Sequence, residues 1–215
     1  MWRIESALDD AGAAYDRRAA MYDHLVRSRI YNRVAWSSTP ADYERFAASA
    51  FASSAGPLLE VAAGSAAATA GLHATSRRPT TLVDLSQAML ERAATRIEAC
   101  AGDGFPAHVR LLQADLFALP ASAQGFTTIL GLGLTHLFDD VPDLVAVLRE
   151  RLAPGGQLFL AGLVAETRRG RCYLEILRRA GEVAPPKTAG ELHAALQRPA
   201  SFERTGCMAY ATLTA

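Results

Sequence analysis

The chain has 215 residues, half of them hydrophobic and a fifth charged, with 22 basic and 22 acidic side chains. This is the balance of a soluble globular protein, and a net charge of zero supplies no basic field for nucleic acid or an anionic membrane. No apolar run approaches the roughly 18 residues of a membrane span. Cys100, Cys172 and Cys207 are too scattered for a disulfide framework or a zinc site, so no metal is expected and a reduced cytosol suits them. An N-terminus carrying Arg3, Glu5, Asp9 and Asp10 does not read as a signal peptide, so a cytoplasmic location is expected.

Residues 1–55 read as helical and carry no strand signal. Tyr15, Ala19, Tyr22 and Val26 recur at helical spacing, which predicts one apolar stripe. Thr39-Pro-Ala-Asp42 is a capping signature with proline at the first helical position. From Pro57 onward strands and helices alternate. Strand 57–63 is followed by helix 67–76, then strand 80–85 and a helix capped by Ser86 and carrying Met89, Leu90, Ala93 and Ile97. Strands 108–114 and 126–132 come next, then a helix capped by Asp140 with Val141, Leu144, Val145, Leu148 and Leu152 on one face. Pro154-Gly-Gly156 stops that helix and turns into a fifth strand, 157–163. Such alternation predicts parallel strands with right-handed crossovers and helices on both faces. Helices at 168–180 and 188–197 and strand-like pieces at 202–207 and 208–214 complete the chain. The last two have no helix between them, which predicts an antiparallel edge.

The informative stretch is Leu58-Leu-Glu-Val-Ala-Ala-Gly-Ser-Ala-Ala-Ala-Thr69. A buried strand breaks into small residues and restarts as a helix, so backbone amides can approach a ligand closely. A tight strand-to-helix turn without a ligand has the same local look. What separates the two is Asp84, which ends the next strand 20 residues after Gly64. An acid at that place accepts the two ribose hydroxyls of an adenosine ligand. The two observations together read as a nucleoside-cofactor site. No Gly-x-Gly-x-x-Gly is present, which argues against a dinucleotide oxidoreductase.

Taken in order, these pieces resemble the class I S-adenosylmethionine-dependent methyltransferases. Leu58–Ser65 is similar to their glycine loop, and Val83-Asp-Leu-Ser-Gln-Ala-Met-Leu90 to their ribose-binding segment. Asp115, in Leu112-Gln-Ala-Asp115, resembles the acid that accepts from the adenine amino group. Gly133–Asp140 and Leu152–Leu158 are similar to the segments after the fourth strand and before the fifth. Tyr15–Asp23 further resembles the start of the ubiquinone/menaquinone-biosynthesis type of small-molecule methyltransferase.

The resemblance implies a Rossmann-like α/β fold: a mostly parallel seven-stranded sheet with an antiparallel C-terminal edge strand and helices on both faces. It implies one domain, with 1–55 a helical cover and 56–215 the cofactor-binding core. It implies S-adenosyl-L-methionine as cofactor, S-adenosyl-L-homocysteine as product and a small organic acceptor. It assigns cofactor contacts to Glu60, Ala62, Gly64, Ala66, Asp84, Leu85, Met89, Asp115, Leu116 and Gly131. Two positions depart from the family pattern. Ala62 and Ala66 flank Gly64 where glycines are usual, and Thr127 stands where an aspartate often follows the phenylalanine of the fourth strand.

Methyl transfer needs the nucleophile held in line, and a base only where the acceptor must lose a proton. His136, after the fourth core strand, is the candidate base, with loop orientation or packing on the cofactor as the competing role. Tyr22 is the second catalytic candidate, against a role as ordinary core. The other histidines, His24, His73, His108 and His193, read as structural. The expected protein is a methyltransferase, monomeric or homodimeric, without nucleic acid or a membrane span. The alternatives are a cofactor-binding subunit without transfer activity, which the two alanines favour, or a fold relative using the cofactor for another reaction.

Overall fold

The computed structural model describes residues 2–7 and 39–215, so Tyr15, Asp16, Tyr22, Asp23 and the apolar stripe of the N-terminal segment lie outside the described residues. The first described helix, α1 (Pro40–Ala52), starts as its sequence predicts. The Asp42 carboxylate accepts from both the backbone N–H (2.9 Å) and the hydroxyl (2.8 Å) of Thr39. Pro57 then releases the chain into β2 (Leu58–Val61), which is buried along its whole length. Next come α2 (Ala70–Thr75), β3 (Thr80–Asp84), α3 (Gln87–Ala101), β4 (Val109–Gln113), β5 (Phe126–Gly131), α4 (Val141–Arg149) and β6 (Leu152–Leu163). The chain closes with α5 (Arg168–Arg179), α6 (Ala189–Ala195), β7 (Ser201–Thr205) and β8 (Met208–Thr214).

The sheet runs β1-β4-β3-β2-β5-β6-β8-β7, with β1 being Ile4–Ser6. The described sheet therefore has eight strands where seven were expected, and the segment read as free of strands supplies the extra one. Ile4–Ser6 pairs parallel with Leu111–Gln113, and Arg110 bonds Glu5 across the pair at 2.8 Å. Three residues are too few to show an alternating pattern. All pairings are parallel except those of β8, which is antiparallel to both β6 and β7. The antiparallel edge is thus a hairpin with the last strand on its inner side.

Side-chain parity assigns the two faces. Leu58, Leu130 and Phe159 pack beneath Ala47, Ala50 and Phe51 of α1, and Leu82 and Leu111 beneath Leu90, Ala93 and Ile97 of α3. On the opposite face Leu59, Val61, Ile129 and Leu158 meet Val141, Leu144 and Leu148 of α4 and Leu192 of α6. The expected turn at Pro154-Gly-Gly156 is a bulge inside β6 instead. Phe126 pairs with Leu152 and Thr128 with Gln157, so Ala153–Gly156 stand opposite Thr127 alone. From β2 the chain winds outward through β3 and β4, then returns to the other side of β2 as β5. That reversal opens a crevice at the carboxyl ends of β2, β3 and β5, where open α/β sheets bind ligands.

Candidate active site

The loop after β2 is built from three left-handed residues at alternate positions: Ala62 (φ 48°), Gly64 (φ 53°) and Ala66 (φ 52°). Glycine adopts this region freely; alanine pays for its methyl group. The loop takes the same path at all three positions because its backbone is tied down. Ala63 N–H donates to Val83 O (3.0 Å), and Ala66 O accepts from the N–H groups of Thr69 (3.1 Å) and Ala70 (2.9 Å). Arg96 grips Ser65 at its carbonyl oxygen and at its hydroxyl (2.7 Å). A side chain added at Gly64 would meet nothing within 4 Å, so the centre of the loop faces open space.

Asp84, at the end of β3, is stitched to this loop. Its Oδ2 accepts from Gly64 N–H at 2.8 Å and its Oδ1 from Ser86 N–H at 2.9 Å. Asp115, at the end of β4, accepts from Phe117 N–H through Oδ1 (2.9 Å) and is half-buried. Leu85 is half-buried with its carbonyl held by Gln113, Met89 is buried at the start of α3, and Leu116 is buried in a short 3-10 turn, Leu116–Ala118. Gly131 ends β5 where any side chain would run into Leu134, 2.6 Å away. Asp84, Asp115 and the loop therefore share the sheet edge at which the crevice opens. A feature not anticipated from sequence lies beside them: the exposed Phe117 ring meets Phe138 edge-on at 5.4 Å.

Two expectations change on inspection of the geometry. The resemblance assigns Glu60 a cofactor contact, yet it is 2% exposed and both of its oxygens are spent inside the protein. Thr69 Oγ1 donates to Oε1 at 3.0 Å, and His73 Nε2 lies 2.6 Å from Oε2. Phe51 covers the fully buried His73 ring at 5.0 Å. Glu60 shares the parity of Leu58, so it faces α1 and α2. Thr127 stands at the amino end of β5, far along the strand from the ligand edge. Its hydroxyl donates to Pro57 O (3.2 Å) and accepts from Ser54 (3.0 Å), next to the buried Arg78. Arg78 in turn donates to the carbonyls of Ala50 (3.0 Å), Phe51 (2.9 Å) and Gly56 (2.9 Å) and to Thr128 Oγ1 (2.9 Å). The departure at Thr127 concerns this latch and not the cofactor.

His136 sits in a second 3-10 turn, Thr135–Leu137, just past β5. Leu163 N–H donates to its Nδ1 at 3.2 Å, and its own carbonyl accepts from Ala184 N–H at 3.0 Å. Burial pushes the imidazole down to about 4 from an ordinary 6.5, so the ring is neutral at pH 7. With Nδ1 engaged as an acceptor, the single ring proton resides on Nε2. Neither nitrogen is then free to take a proton, and the expected base role does not fit this arrangement. Tyr43 of α1 stands nearby, its hydroxyl donating to Met208 Sδ at 3.3 Å. Burial raises the phenol of neighbouring Tyr210 above its ordinary value, with the Asp42 charge adding to the shift.

The donor set suits an adenosyl sulfonium ligand: left-handed backbone with open space before Gly64, and acids at the ends of two adjacent strands. Residues 58–156 match the family model described as a methyltransferase domain. Solved structures of similar fold extend the likeness over most of the chain. They include the complex of DhpI with S-adenosylhomocysteine (23% identity, 93% of this chain and 92% of that one, TM-score 0.65). They also include the N-methyltransferase NodS from Bradyrhizobium japonicum WM9 (17%, 96% and 98%, TM-score 0.65). A third is geranyl diphosphate C-methyltransferase from Streptomyces coelicolor A3(2) (15%, 96% and 85%, TM-score 0.63). At these identities the likeness is one of fold. Comparison with curated proteins gives no match. The DhpI, NodS and geranyl diphosphate C-methyltransferase structures were each solved with S-adenosylhomocysteine. Among the described residues no helix is long and apolar enough to cross a membrane.

Proposed function

We propose that the protein is a cytoplasmic, single-domain methyltransferase acting on a small organic acceptor, as a monomer or homodimer and without nucleic acid. The bond from Gly64 N–H to Asp84 carries the reading, because it joins the ligand-facing loop to the ribose-binding acid in one unit. In this arrangement Asp84 and Asp115 hold the adenosine end, while Ala62, Gly64, Ala66, Leu85, Met89, Leu116 and Gly131 shape its walls. Glu60 acts through the loop, by way of Thr69 and His73. The bound sulfonium supplies the methyl group; the protein supplies alignment and a site cleared of water. Tyr22 of the N-terminal segment is the second catalytic candidate, with a role at the acceptor. Three neighbours of the same fold, two of which act on an N atom or on geranyl diphosphate, fit a small-molecule acceptor, as does the resemblance to the quinone-biosynthesis type.

A binding subunit without transfer activity is the second reading, resting on Ala62 and Ala66. Against it, both alanines hold the left-handed path that the glycine loop follows. Calorimetry with S-adenosylmethionine, S-adenosylhomocysteine and NAD tests the cofactor, and a methyl-transfer screen over amines, carboxylic acids, phenols and prenyl diphosphates tests the activity. Binding of the first two and not NAD is expected. No heat from either at millimolar concentration would sink the reading, and binding without transfer to any acceptor class would favour the subunit.

A further inference from the structure

The post-β5 turn leaves one functional group unexplained. His136 is anchored by Leu163 N–H on Nδ1 and by Ala184 on its carbonyl, but its Nε2 has no partner among the described residues. It is also not one of the sealed-in polar atoms, which include the neighbouring Thr135 hydroxyl and the Tyr210 phenol. A side chain built on Gly133 would begin 3.9 Å from the Tyr43 hydroxyl and 4.0 Å from His136 Cε1. Glycine at that position (φ +64°) thus leaves a gap between the phenol and the imidazole, at the carboxyl end of β5 where the crevice opens.

We propose that His136 is a fixed Nε2–H donor that holds the methyl acceptor by a lone-pair atom, and is not the base that deprotonates it. This rests on reading the domain as an active methyltransferase. The tautomer follows from geometry: a backbone N–H cannot give up its proton, so the nitrogen facing it must be the bare one. The charged groups around the ring among the described residues leave this state alone. Lys187 lines a small cavity with His136, Leu163 and Ala184, apart from the gap at Gly133, and its ammonium is spent on Phe138 O (3.1 Å) and Asp139 Oδ1 (3.4 Å). From α1 the nearby polar group is the neutral Tyr43 phenol, and from β6 it is the Leu163 amide. Among the described residues no carboxylate bonds either ring nitrogen, which is what an imidazole acting as a relay would need. The acceptor class follows. It carries a carbonyl, carboxylate, phosphoryl or ring-nitrogen lone pair near the attacking atom, and its nucleophile reaches the site without needing His136 to remove a proton.

The test uses the full chain with 15N-labelled histidine, saturated with S-adenosylhomocysteine. Long-range proton–nitrogen NMR reads the tautomer, and His136→Gln identifies the signal among the five histidines. From about pH 5 to 8 the proton is expected on Nε2 throughout. Benzoate or inorganic phosphate is expected to shift the Nε2–H resonance, and methylammonium, which offers no lone pair, to leave it in place. A ring that titrates near the ordinary histidine value, or one protonated on Nδ1, overturns the fixed-donor role. A resonance unmoved by either anion reduces His136 to a structural anchor. Calorimetry with S-adenosylhomocysteine decides the methyltransferase reading independently, and the tautomer is also readable without that ligand.

Discussion

Ala62 and Ala66 hold the left-handed conformation of a glycine loop, and replacing them measures what that costs. An L-residue in this region loses roughly 1–2 kcal/mol against its favoured conformations. Glycine removes that strain but returns about 0.4–1 kcal/mol of chain entropy to the unfolded state. The two sites then diverge. Ala62 is half-buried, so Ala62→Gly is expected to stabilise by about 0.5–1 kcal/mol, roughly 1–4 °C in Tm for a chain of this size. Ala66 is 2% exposed, packed in the cluster beneath α3, and its methyl contributes about 0.8 kcal/mol of burial that glycine forfeits. Ala66→Gly is therefore expected to leave Tm nearly unchanged. Ala67→Gly, at an exposed position with ordinary φ, is the control and should lose roughly 0.5–1 kcal/mol. Thermal and urea denaturation of the three variants, with S-adenosylhomocysteine calorimetry alongside, reads the ordering. The reasoning is refuted if Ala62→Gly destabilises as much as Ala67→Gly. Tighter S-adenosylhomocysteine binding by Ala62→Gly would show that the methyl also crowds the ligand, and unchanged binding that the loop is adapted to alanine.

Other perturbations follow from the same geometry. Asp84→Ala removes the acceptor of Gly64 and Ser86 N–H and, on the proposed function, two ribose bonds, so S-adenosylhomocysteine affinity should fall by roughly 2–4 kcal/mol in calorimetry. Arg78→Met leaves the carbonyls of Ala50, Phe51 and Gly56 unpaired and should cost about 3–5 kcal/mol in urea denaturation with little change in cofactor affinity; a loss under 1 kcal/mol would mean the latch is dispensable. The folded His136 value of about 4 lies below the ordinary 6.5, so the unfolded chain takes up the proton first as pH falls. Its contribution, up to about 3 kcal/mol, is intact above pH 6.5 and lost toward pH 4; His136→Gln should flatten that acid limb of the stability curve.

Much of the core was legible because each element from β2 to α4 carries its own pattern. The apolar run of β2, the Ser86 cap and the α4 face at Val141, Leu144 and Leu148 are local signals that the packed structure does not override. Three features were not legible, each for a physical reason. Strand β1 and the 3-10 turns are three residues each, shorter than one period of any pattern. The β6 bulge depends on partner register, which Ala153-Pro-Gly-Gly156 alone does not encode. Arg78, in Ser76-Arg-Arg-Pro79, looks like a solvated turn; its burial follows from where the last turn of α1 and Gly56 come to rest.

Glu60 shows how resemblance and parity can disagree along one strand. The motif places an acid at that position beside the cofactor, and by resemblance it was assigned a ligand contact. The period of two in β2 sets Leu59 and Val61 against α4, and so sends Leu58 and Glu60 to the face of α1 and α2. A carboxylate on a buried face must find donors there, and Thr69 and His73 on the following turn and helix provide them. Those donors flank the loop at its helical end, as Asp84 holds it at Gly64. The acid at the end of β2 thus braces the loop from behind while the acid at the end of β3 braces it from the ligand side. Alanine at positions 62 and 66 is tolerable in such a loop, because a backbone fixed at both ends does not relax to relieve the strain of two methyl groups.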